Sequence, residues 1–140
     1  MGQLADPLFL DRIDIQCEIV PLSFQELSTA PKGEPSSVIR ERVIKARRIQ
    51  EERFRHHKGI YCNAQMTSKL MHEYAEPDAE GIETLRRAMQ CFQLSARAYD
   101  RILRVARTIA DLEGSEHVLK HHISEAVSYR NLDRSTWGQV

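Results

Sequence analysis

Arg97, Arg101 and Arg104 stand at i, i+4 and i+7 in the stretch L-S-A-R-A-Y-D-R-I-L-R-V-A-R-T-I-A-D-L-E-G, Leu94 to Gly114. Like charges four apart cost an isolated helix about 0.2–0.5 kcal/mol per pair. Helix stability therefore does not account for the row. Two readings are open. In one, Asp100 and Asp111 pair with Arg104 and Arg107, and the row is an ordinary solvated face. In the other, one arginine faces an anion, and phosphate suits a planar, permanently charged fork. Arg97 is the candidate, because it falls two residues after Ser95. Ser95 suits an N-cap, and the first turn of a helix favours an anion. A salt bridge to a neighbouring helix is the plainer alternative. Arg12 is the second candidate. It lies between Asp11 and Asp14, where its neighbours alone imply a surface ion pair, worth about 0–1 kcal/mol.

Other constellations carry less. Arg40 to Lys58 holds eight basic and three acidic residues. Such a helix can bind phosphate backbones, but the charges lie all round it, Glu51 and Glu52 interrupt them, and no aromatic platform interleaves. A solvated face is the better reading. The histidines are His56-His57, His72, His117 and His121-His122. Adjacent helical residues point about 100° apart, so the doublets do not make two-ligand faces, and no metal site is expected. Cys62 and Cys91 read as packing residues. The phosphate loop G-x-x-x-x-G-K-[ST] and G-x-G-x-x-G are both absent, so no segment here can wrap a triphosphate. No ATP hydrolysis is expected of the chain alone.

The elements that must position these residues are mostly helical. The arginine row rides on a helix whose apolar stripe is Ala96, Tyr99, Leu103, Ala106 and Ala110, widened by Ile102 and Ile109, with Gly114 as its stop. Upstream, Ser36 or Ser37 caps a first helix that runs to about Phe54, with Ile39, Val43, Ala46, Ile49 or Gln50, and Phe54 on one side. Thr67 or Ser68 caps a short second helix. Asp78 caps a third, with the stripe Ile82, Leu85, Ala88, Met89 and Phe92. A fifth follows the arginine helix, from about Leu119 to Arg130, with Ile123, Ala126 and Val127 inward. Leu85, Met89, Phe92, Tyr99, Leu103 and Ile123 are expected to be buried together. Before residue 33 the pattern differs: Ile13 to Val20 alternates apolar and polar like a half-buried strand, Pro21 stops it, and Ser28 to Pro35 reads as a linker. One strand has no sheet to join in a chain this helical. The tail from Asn131 is poor in apolar residues apart from Trp137.

Composition is permissive. A chain of 140 residues is enough for one domain with a core. Twenty basic and twenty acidic residues cancel, so no global field argues for nucleic acid or membrane. Three widely spaced cysteines form no C-x-x-C pair, which points to a reducing, cytoplasmic setting. No run of eighteen apolar residues exists, so no membrane partner is expected, and no secretory signal is visible.

Seven blocks in order make the chain recognisable. They are L-D-R-I-D-I at Leu10–Ile15, G-E-P-S-S-V-I-R-E-R-V at Gly33–Val43, A-R-R-I-Q-E-E-R-F at Ala46–Phe54, C-N-A at Cys62–Ala64, L-S-A-R-A-Y-D-R-I-L at Leu94–Leu103, A-R-T-I-A-D-L-E-G-S-E at Ala106–Glu116 and E-A-V-S-Y-R at Glu125–Arg130. In these the chain resembles the C-terminal lid region of magnesium-chelatase-like AAA+ ATPases, the group that includes the ComM-like competence proteins. The family's Gly-Pro-Leu-Leu before Asp-Arg is replaced here by Pro7-Leu8-Phe9-Leu10.

The resemblance implies a mostly α fold: a small AAA+ lid-type bundle of about five helices, with an N-terminal remnant strand of an α/β core. Residues 1–33 would be the end of that core plus a linker, residues 34–132 the helical lid, and residues 133–140 a loose tail. Arg97 would be sensor 2, reaching the ATP phosphates of its own subunit. Arg12 would be an arginine finger acting in trans. The cofactors implied are ATP and Mg2+ in the full-length protein, with none expected in the isolated fragment. The partners implied are an upstream AAA+ core, neighbouring subunits of a homo-oligomeric ring, and DNA in a motor of natural transformation. The alternatives are a magnesium chelatase subunit for porphyrin metal insertion, and a helical interaction module with no nucleotide role.

Overall fold

The computed structural model describes Phe9 and residues 12–130; Asp11 and the tail with Trp137 lie outside the described residues. Among the described residues there are six α-helices: α1 Phe24–Thr29, α2 Ser36–Arg53, α3 Ser68–Tyr74, α4 Ala79–Cys91, α5 Ala96–Glu113 and α6 Lys120–Ser128, with a 3₁₀ turn at Asn63–Gln65.

Local chemistry sets most boundaries. The Thr67 side chain accepts from Leu70 N, that of Asp78 from Gly81 N, and that of Ser95 from Ala98 N. Each satisfies one amide that the first turn leaves without a partner. α2 starts one residue earlier than a serine cap would place it, with Pro35 at the N-cap. α5 ends at Gly114, whose φ of 82° is left-handed and free of a Cβ clash only for glycine.

α5 is the central element. It packs on α6, α2, α3 and the 3₁₀ turn, and α4 packs on α6. Its buried arc includes Ala98, Ile102, Ala106 and Ala110, all 0% exposed. Alanine at three of these four places lets neighbouring backbones approach closely. Leu85, Phe92, Leu103 and Ile123 join the same core, and Met89 is partly buried against it. Tyr99 does not join them: it lies on the inward arc but in the first turn, beyond its neighbours' reach, and is 41% exposed. Ile82 is exposed for the same end effect, and so is Ala96.

Three further expectations change. Ile13 to Val20 forms no strand among the described residues. Its alternation lacks a ladder partner, and its backbone is used otherwise: Gln16 N donates to Tyr129 O at 2.6 Å. Between Pro21 and the expected linker a helix appears, α1, which runs into the linker at Ser28 and Thr29 and is started by a capping box in which Ser23 and Glu26 satisfy each other's backbone amides. Ile39 and Val43 lie on the inward stripe of α2 but stay exposed, because α2 outruns the bundle before Ala46.

Candidate functional site

The arginines of α5 meet four different fates. Arg107 is the innermost. Its side chain is 3% exposed and shares Asp111 with Arg53, which arrives from α2. Arg53 meets Asp111 through two bonds, Nη1 to Oδ2 at 2.8 Å and Nη2 to Oδ1 at 2.5 Å. Asn63 adds a third, Nδ2 to Oδ2 at 2.8 Å, and its own amide N donates to the buried Gln50 Oε1 at 2.9 Å. Arg107 spends its remaining donors on the carbonyls of Tyr74, Ser115 and Glu116. These close the end of α3 and the turn after α5 onto the bundle. Burial pushes the Arg107 pKa down; Asp111 opposes this, and Arg53 adds to it. The guanidinium still keeps its proton, as arginine does in proteins. The pairing of Asp111 with Arg107 is thus present, but buried, and not part of a solvated face.

Arg104 donates from Nη2 to the Met66 carbonyl at 3.0 Å. Asp100 forms no ion pair with it. Arg101 reaches the N-terminal segment, donating from Nη1 to Arg12 O and Asp14 Oδ1, both at 3.0 Å. Arg97 is different. It is exposed in the first turn after the Ser95 cap, with no hydrogen bond or ion pair among the described residues. The plainer alternative, a salt bridge to a neighbouring helix, is therefore not formed there. A planar cation at a capped helix start, unneutralised by its neighbours, is suited to an anion brought from outside.

Arg12 sits in an exposed turn whose backbone N donates to Phe9 O at 3.1 Å. It pairs with no acid among the described residues. The structure links its backbone to α5 through Arg101, one helical turn from Arg97.

The histidine doublet departs from expectation. His121 and His122 have ring centroids 3.9 Å apart and both reach Glu113 Oε2. The reason is a cap: His122 Nδ1 accepts from Leu119 N at 2.9 Å, tying the start of α6. That bond places the proton of a neutral His122 on Nε2, which then donates to Glu113. Nε2 has no lone pair left for a metal in this arrangement. The cluster of Glu113, His121 and His122 is accounted for as a cap. Cys91 is exposed, not packed, while Cys62 is half-buried. Of the basic residues in 40–58, Arg42 pairs with Glu34 and Arg55 with Glu52, and only Arg53 turns inward. No described helix is long and apolar enough to cross a membrane.

Sequence reasoning missed the Arg53–Asp111–Arg107 knot, because it searched α5 for an apolar face and counted its charges as solvated. A signal was available: Gln50, Arg53, Asn63, Arg107 and Asp111 all fall inside the quoted blocks A-R-R-I-Q-E-E-R-F, C-N-A and A-R-T-I-A-D-L-E-G-S-E.

Comparison with known proteins agrees with this placement. Residues 33–130 match the family described as magnesium chelatase, subunit ChlI C-terminal. The chain is 38% identical over 135 residues to the competence protein ComM of Haemophilus influenzae, covering 96% of this chain and 25% of that protein. It is 37% identical over 136 residues to the uncharacterized protein YifB of Salmonella typhimurium, covering 96% of this chain and 26% of that protein. The YifB of Escherichia coli is 36% identical over 135 residues, with the same coverage, 96% and 26%. The chain thus spans about a quarter of the length of these curated relatives. The match takes in every residue of the buried knot and the whole of α2 to α6, and the chain belongs to the magnesium chelatase, subunit ChlI C-terminal family.

Proposed function

We propose that the chain is the helical lid of an AAA+-type ATPase, with residues 34–132 as the lid and residues 1–33 as the end of the core and its linker. It supplies Arg97 to the nucleotide of its own subunit and Arg12 to that of a neighbour in a homo-oligomeric ring. The observation that carries this reading is Arg97, exposed and unpaired among the described residues, at the start of a well-capped helix. ATP with Mg2+, held chiefly by an upstream α/β core, supplies the phosphoryl group whose hydrolysis drives work. The chain's own residues fit such a group: Arg97 presents a planar fork of donors to terminal phosphate oxygens, and the buried knot at Arg107 and Asp111 fixes the far end of the same helix. Arg12 neutralises charge developing at the adjacent site. Such fingers contribute about 10³–10⁵ in rate in other nucleotide hydrolases.

The work we infer is DNA processing in natural transformation, in a reducing cytoplasmic setting. The name of the Haemophilus relative, a competence protein, supports it. The name of the matched family, magnesium chelatase, favours porphyrin metal insertion as the second reading. The test is turnover of the complete ATPase carrying Arg97→Ala, with ATP saturating. Loss of kcat at full occupancy supports the reading, since the charge neutralised develops in the transition state. Undiminished kcat contradicts it. DNA-stimulated turnover separates the first kind of work from the second.

A further inference from the structure

The turn that carries Arg12 is fastened to the helix that carries Arg97. Arg101 lies one helical turn after Arg97, and its Nη1 takes two acceptors from that turn, Arg12 O and Asp14 Oδ1, each at 3.0 Å. Arg130, whose side chain is 5% exposed, donates to Ile13 O at 3.3 Å and stands 3.8 Å from Asp14 Oδ1. The Gln16 amide is bonded to Tyr129 O at 2.6 Å. Asp14 and Arg101 are 87 residues apart, so nothing local brings them together. A guanidinium that holds a backbone carbonyl and a carboxylate of one turn fixes its orientation as well as its place. An ammonium is a point charge and fixes it less well.

We propose that Arg101 is a positioning residue that holds the Arg12 turn against α5, so that the arginine serving the neighbour's site moves with the helix serving the subunit's own. This rests on the roles proposed above for Arg97 and Arg12. The consequence is specific. Arg101 shares a helix with the residue acting in cis, yet its loss is felt in trans. A rotation of α5 on engagement of Arg97 is passed to the Arg12 turn through Arg101, while Arg130 and Tyr129 hold the residues after that turn, and this gives successive sites in a ring a coupling route.

The pair is accessible to mutation, since the side chains of Arg101 and Asp14 are 33% and 47% exposed. Exposed pairs contribute little to folding, so the bundle should survive their loss, and thermal melts of each variant check this.

The first arm uses the 140-residue chain itself. Hydrogen exchange at the Gln16 amide should quicken several-fold in Arg101→Ala and in Asp14→Ala, less in Arg101→Lys. It should slow again when Arg101→Glu is combined with Asp14→Arg. Unchanged exchange in Arg101→Ala overturns the proposal. The second arm uses the complete ATPase. Arg101→Ala should lower kcat with KM for ATP little changed. A partner inactivated in its phosphate-binding loop should restore turnover in mixed rings, as it should for Arg12→Ala. Failure to restore Arg101→Ala where Arg12→Ala is restored overturns the positioning role alone. Failure to restore Arg12→Ala overturns the reading beneath it, and the proposal falls with that reading.

Discussion

Arg53 and Asp111, 58 residues apart in sequence, meet as a two-bond fork inside the bundle, with the Asp111 side chain 0% exposed. A second guanidinium, Arg107, donates from Nε to Oδ1 of the same carboxylate at 3.2 Å. Two cations on one anion, Arg107 buried and Arg53 half-buried, leave an excess positive charge, and backbone carbonyls around Arg107 offset it. The arrangement is costly to break and specific in geometry, which is what a platform for α5 requires.

Asp111→Ala should therefore destabilise the chain by about 3–5 kcal/mol, because it strands the buried Arg107 guanidinium and the half-buried Arg53 beside it. Urea unfolding checks this. A loss below about 1 kcal/mol, the size of an exposed pair, would mean that Asp111 is not the hub of the knot.

Leu103 and Tyr99 are next on the list of separable effects, because both lie on the inward arc of α5 but only Leu103, at 4% exposed, is buried. Leu103→Ala should cost about 2–5 kcal/mol from lost burial and the cavity left behind. Tyr99→Ala should cost clearly less. Equal losses would show that the first turn of α5 is covered in solution.

Gly81→Ala tests close packing against helix propensity. Alanine is favoured over glycine in a helix by about 1 kcal/mol. A Cβ at Gly81, however, would stand 2.7 Å from Pro77 Cβ and 2.8 Å from the Asp78 oxygen that caps α4. The substitution should destabilise by about 1–3 kcal/mol, as overpacking does. A raised melting temperature would contradict the contact.

Glu113 gives the pH dependence. Hydrogen bonds from His121 first, then His122, hold its carboxyl below the ordinary 4.5. A carboxyl whose pKa falls on folding lends stability above its unfolded pKa and loses it as pH falls through the folded one. The contribution is present above about pH 4.5 and fades below it. Glu113→Gln should lose stability at neutral pH and show a shallower acid limb in melts across pH 3 to 6, on the order of the usual carboxylate range. An unchanged acid limb would remove Glu113 from the cap.

The helices were legible because their signals are local. Thr67, Asp78, Ser95 and Gly114 start and stop them as their chemistry requires. The Ser23–Glu26 capping box is equally local, and it lies in the stretch between Pro21 and the linker to which the sequence reading assigns no element. Alternation from Ile13 to Val20 is legible as a pattern, but a strand is a relation between segments, and no partner strand stands beside it among the described residues. Asn63 and Asp111 look like surface residues in one dimension, and only the crossing of α2 and α5 turns them inward. The doublet His121-His122 converges on Glu113 because helix geometry fixes Cα directions and leaves side-chain torsions to the cap. Of the candidate site, Arg97 and Arg12 were legible by type and position. Their connection through Arg101 was not, since it spans 89 residues.

The central claim is that Arg97 works within its own subunit and Arg12 on its neighbour's site. The most direct measurement mixes each alanine variant of the complete ATPase with a partner inactivated in its phosphate-binding loop and follows ATP turnover of the mixed rings. The account predicts that Arg12→Ala regains turnover, since the partner returns the missing arginine to an intact site. It predicts that Arg97→Ala regains none, and that Arg97→Lys stays impaired. Rings that assemble but give no recovery for Arg12→Ala, together with full activity of Arg97→Lys, would contradict it and return the arginine row of α5 to a solvated helix face.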